Sequence, residues 1–193
     1  MPVAGYWACH SPPTYRCVTL VPDPSVPHVP TPDSTAGKEV LAFFGLASYH
    51  AQVLEQELLL FASMLHLSRS THVRTTSVEA LFDQLDSKTF GALLAEARRL
   101  TTVPPELEAD LREALRCRNR LAHRFFVDHA VDIMSDPGRR EMIEELDGFV
   151  VLFQQVDQAL TRLREPLSER LGISKQLAAA ELERMSAEAA ARA

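Results

Sequence analysis

The stretch KEVLAFFGLASYHAQVLEQELLLFASMLHL, Lys38–Leu67, decides the fold. Val40, Phe43, Phe44, Ala47, Ala51, Leu54, Leu58, Phe61 and Leu65 recur along it every three to four residues, the spacing of one buried helical face. No proline interrupts it, and the spacing predicts a single long helix over 38–67, capped by Asp33 or Ser34. Glu55, Gln56 and Glu57 break its apolar density, so it is not a simple transmembrane span. A helix of this length must bury its stripe against other elements, and the chain that follows supplies only helices.

After a polar loop at 68–75, Thr76 and Glu79 form a capping-box pattern that opens a short helix to about Leu85. A third helix is predicted over 88–100, with Phe90, Leu93, Leu94, Ala97 and Leu100 inward. Pro104-Pro105 opens a fourth, running to about Phe126, because proline is tolerated in a first turn. Residues 127–138, ending in Asp136-Pro-Gly, read as a loop. A long fifth helix over 139–164 buries Met142, Leu146, Phe149, Phe153, Val156 and Leu160, and Pro166 is expected to end or kink it. The body shows no strand alternation and no repeat. The expected fold class is all-α: an antiparallel bundle of four to five main helices over 38–172.

Two appendages flank it. Residues 1–37 hold eight of the twelve prolines and only three charges, Arg16, Asp23 and Asp33. They are expected to form an extended or disordered leader, since proline removes backbone donors and fixes φ. Residues 173–193 favour helix by propensity but carry a thin apolar face. A net charge of -6 excludes a whole-surface electrostatic grip on nucleic acid, so any such contact needs a local basic patch. Cys9, Cys17 and Cys117 form no CxxC pair, and no His or Cys stands at zinc spacing. No metal and no cofactor is expected. Without a secretory signal or membrane span, the expected location is cytoplasmic.

The basic patch is local indeed. Leu111–Arg124 holds five arginines and one histidine against a single acid, Glu113. At 100° per residue, Leu111, Ala114, Leu115, Leu121, Ala122, Phe125 and Phe126 share one arc with Arg118 near its middle. Arg112, Arg116, Asn119 and His123 line one flank; Arg120 and Arg124 point to the opposite, solvated side. Cys117 falls off both. A buried arginine needs an acid partner. The candidates are Glu57 and Glu55, which flank the first helix's apolar face, with His50 beside it. Arg118 is then either a structural arginine paired with one of them or the wall of a groove at a subunit boundary. Asn119 and His123 are four apart and face the same way, so the amide can orient the imidazole. Asp128-His129 reads as a solvated loop pair, and Arg98-Arg99 as a charged helix end.

Arg118-Asn-Arg-Leu-Ala-His123 resembles the Arg-x4-His signature of HEPN domains, and the long first and last helices and Phe90-Gly-Ala-Leu-Leu94 agree with that resemblance. The resemblance spans about 38–165. It implies a helical bundle that forms a homodimer through the motif helices, and a metal-independent endoribonuclease of toxin–antitoxin, phage-defence or RNA-processing systems. It makes Arg118, His123 and Asn119 the catalytic set, with Arg112, Arg116, Arg120 and Arg124 as RNA contacts. Its partners would be RNA, a second copy, and an antitoxin or nucleotidyltransferase, with no membrane. One toxin branch extends the motif to Arg-x4-His-x-Tyr; Phe125 stands there in this chain, which removes tyrosine modification at that position. Other family members are inactive, so a non-catalytic RNA- or nucleotide-binding or interaction module is the alternative.

Overall fold

The computed structural model describes residues 35–69, 75–173 and 175–191. Among these residues the fold is all-α, without a strand: α1 (Thr35–Arg69), α2 (Thr75–Asp86), α3 (Phe90–Leu100), α4 (Pro105–His123), the one-turn α5 (Phe125–Asp128), a 3-10 turn (Asp132–Met134), α6 (Asp136–Arg170) and α7 (Lys175–Ala190). No described helix is long and apolar enough to cross a membrane. Of the expected leader, residues 1–34 lie outside the described residues, as do 70–74 with His72, and the Thr76 side chain of the expected capping box.

The two longest helices, α1 and α6, make the principal pairing, with α3 and α4 packed against α1. Leu54, Leu58, Phe90, Leu111, Phe125 and Phe153 lie at its centre, each almost fully buried. Close packing of such side chains is what holds the bundle. His50 meets Gln154, Glu57 meets Arg164 and Met64 meets Ser168, so α1 and α6 run in the same direction. Arg118 of α4 faces Glu55 while Phe126 of α5 packs on Phe44, so the chain from α4 into α5 runs opposite to α1.

Helix ends account for the differences from the sequence reading. α1 begins at Thr35, within the segment assigned to the leader. α4 stops at His123 because Arg124 leaves helical geometry, at φ -129° and ψ -24°; Phe125 therefore restarts the chain in a new phase. Asp136-Pro-Gly138 is the first turn of α6 and not a loop. Ser135 caps it, its hydroxyl accepting from the Gly138 N–H at 3.2 Å, and Pro137 sits where a missing N–H costs nothing. The helix then continues past Pro166 to Arg170.

Gly138 is required by contact. A β-carbon there would lie 2.6 Å from the Asp132 Cα and press on the Asp132 carbonyl, both of them backbone. Gly138→Ala is expected to cost roughly 2 kcal/mol by forcing the 3-10 turn off α6. Urea unfolding against wild type checks it, and Gly148→Ala serves as the control because nothing stands within 4 Å of that position.

Candidate functional site

The buried stripe of α4 is Leu107, Leu111, Ala114, Cys117 and Leu121. That corrects the arc read from the sequence. Cys117 belongs to the stripe, Ala122 is exposed, and Arg118 sits at its edge and not its middle. Phe125 remains buried and Phe126 reaches the surface, because the break at Arg124 re-phases both. Burial, reinforced by Glu113, pushes the Cys117 thiol up to about 11, so it is a packed thiol and no nucleophile.

Arg118, Asn119 and His123 share one surface flank of α4. The Arg118 guanidinium is half-buried. Its Nη2 lies 3.5 Å from Glu55 Oε2 on α1, and its Nη1 3.4 Å from Asn119 Oδ1. Both contacts are long and hold the group loosely. Asn119 and His123 are exposed, and no hydrogen bond or ion pair among the described residues engages the His123 ring. Of the two acids expected to receive Arg118, Glu55 does so. Glu57 instead meets Arg164 of α6, Oε1 to Nε 2.5 Å, because α6 covers that side of α1. His50 likewise faces α6, through Gln154 at 3.1 Å.

The four flanking arginines divide. Arg112 and Arg116 extend the Asn119–His123 flank and are well exposed; along α4, Arg112 pairs loosely with Glu108 at 3.7 Å, and Arg116 pairs closely with Glu113. Arg124 is exposed and pairs with Asp128 at 2.8 Å. Arg120 does not point into solvent as the helical wheel suggests: it docks on α6, its Nη2 3.2 Å from Glu145 Oε2, and also pairs with Asp128. It is therefore committed to the fold. Arg98 pairs with Glu108 at 3.1 Å and Arg99 with Glu96, which also receives His66 at 2.8 Å and Lys88 at 3.2 Å.

His129, which the sequence pairs with Asp128 in a solvated loop, has a different place in the structure. Its side chain is only 12% exposed and sits between Asp132 and Glu145, not in a solvated loop. The three-residue spacing to Asp132 was a usable signal; Glu145, sixteen residues on, was not. Among the described residues no group of three or more His, Cys, Asp or Glu side chains is arranged to hold a metal ion. A concavity of about 480 Å³ opens over α1 and is lined by Tyr49, Glu55, Glu57 and Asp157 among others. It is acidic, so it repels phosphate. Comparison of the chain with protein-family models, with curated proteins and with solved structures gives no match.

Proposed function

We propose that the chain is a HEPN-type, metal-independent endoribonuclease that works in the cytoplasm as a two-fold dimer, in a toxin, phage-defence or RNA-processing setting. The observation that carries the reading is the flank of α4. A loosely held arginine, an amide and an unengaged histidine stand within two turns of one another and face outward. Leu41 of α1 and Phe126, which packs on Phe44 of α1, are exposed apolar side chains that a second copy would cover.

In that dimer each half supplies what RNA cleavage without a metal requires. His123 takes the proton of the ribose 2′-hydroxyl, whose oxygen attacks the adjacent phosphorus. The bond from phosphorus to the 5′-oxygen breaks, and His123 of the partner subunit protonates the leaving oxygen. Arg118 holds the phosphoryl oxygens as negative charge builds there, a task its planar fork suits. Asn119 orients the imidazole, and Arg112 and Arg116 guide the backbone.

Two measurements test this reading. Light scattering is expected to give twice the 21.5 kDa chain mass at micromolar concentration; a monomer contradicts the proposal. Total RNA incubated with the protein in EDTA is expected to yield fragments ending in 2′,3′-cyclic phosphate and beginning with 5′-hydroxyl. Fragments with 5′-phosphate would point to different chemistry. The rival reading, a non-catalytic binding or interaction module, draws on the acid partners of Arg112, Arg116, Arg120 and Arg124, which blunt their pull on phosphate. It is favoured if RNA is bound and left intact.

A further inference from the structure

The connection between α4 and α6 is fastened by a charged cluster that the proposed RNA site does not use. Its centre is His129, whose ring lies against Phe125 with centroids 4.8 Å apart. Nδ1 stands 2.8 Å from Asp132 Oδ2, and Nε2 stands 2.7 Å from Glu145 Oε2. A neutral imidazole has one N–H and can donate to only one of these carboxylates. Its other nitrogen would set a lone pair against an anion. Two carboxylate oxygens on two ring nitrogens suit the doubly protonated ring alone.

The surrounding charges agree. From α4, Arg120 is shared between Glu145 and Asp128, and its Nη2 comes 3.4 Å from His129 Nε2. That approach opposes a second cation, but the Glu145 contact is closer and Arg120 is already met by two carboxylates. Arg124 pairs with Asp128, and the Cys117 thiol is neutral. From α6, Arg139 bonds the Ile133 carbonyl at 2.8 Å and pairs with Asp136. A neutral ring would leave Asp128, Asp132 and Glu145 facing Arg120 and the more exposed Arg124.

We propose that protonated His129 is a latch, tying Asp132 of the 3-10 turn to Glu145 of α6, and that it releases the 125–134 connection when the ring loses its proton. Burial disfavours the charged ring, but the bonds to Asp132 and Glu145 outweigh it and raise its pKa above the ordinary 6.5. A raised folded-state value means the latch contributes fully below 6.5 and is lost as pH climbs through that higher value. The opening is local, because the apolar core of α1, α4 and α6 does not titrate. The inference stands whether or not the Arg118–His123 site cleaves RNA.

The test is NMR on the full chain. The His129 ring is expected to titrate above 6.5. Protection of the Ile133, Met134 and Ser135 amides, which donate to His129, Val131 and Asp132 carbonyls, should fall about tenfold per unit of pKa elevation as pH passes that point. In His129→Gln the protection should be low and independent of pH. Asp132→Asn should lower the ring's pKa and the protection together, which keeps the test decisive if His129→Gln does not fold. A ring that titrates at or below 6.5, or protection that does not change as it titrates, overturns the latch.

Discussion

Arg164→Ala is expected to lower the unfolding free energy by about 3 kcal/mol, the largest single loss among the ion-pair residues of the bundle. Glu57, its partner, is 8% exposed and lies between α1 and α6. Burial already holds the Glu57 carboxyl above its ordinary pKa, with Arg164 opposing the shift and not cancelling it. Without Arg164 the buried carboxylate has no cation and must protonate or draw in water. Because the folded-state pKa is raised, the deficit should be greatest at neutral pH and shrink as pH falls toward the carboxylate range. Denaturant unfolding at pH 7 and pH 5 checks both magnitude and direction. By contrast, Arg118→Ala should cost no more than about 1 kcal/mol, since Glu55 keeps access to water.

The largest effect on activity is expected from the α4 flank. His123→Ala should lower RNA cleavage by roughly 10²- to 10⁴-fold, the span removed with a general acid or base. Its melting temperature should stay close to wild type, because His123 is exposed and no interaction among the described residues ends on it. Arg118→Ala should lower cleavage by about 10²- to 10³-fold while the fold persists. Arg118→Lys keeps the charge without the fork and should fall between the two states. Loss of activity with intact stability separates a chemical role from a structural one. A parallel loss of both would instead mean that the flank supports the fold.

Much of this architecture is legible in the sequence, and the exceptions have physical causes. The stripes of α1, α3 and α6 follow helical spacing cleanly, and their core residues can be read from it. Near Leu58–Ala62 the apolar run of α1 is almost continuous, since α6 and α3 cover it on several sides. A single-face pattern there cannot say which acid is enclosed, so it leaves both Glu57 and Glu55 as partners for Arg118, and only the packing of α6 gives Glu57 to Arg164. Arg120 shows the same limit: a helical wheel places it opposite the apolar face, but only tertiary packing brings Glu145 to it. Asp136-Pro-Gly138 carries loop composition, and it is the Ser135 cap that makes it a helix start. Within the candidate site, the shared face of Asn119 and His123 follows from their spacing alone. That Glu55 reaches Arg118 depends on how α4 crosses α1.

The most direct measurement is cleavage of total RNA by the purified protein in EDTA, run beside His123→Ala at equal concentration and matched dimer content. The proposal expects wild type to cut and the variant to be silent. Equal cleavage by the two proteins, or cleavage by wild type that disappears on chelation, contradicts it.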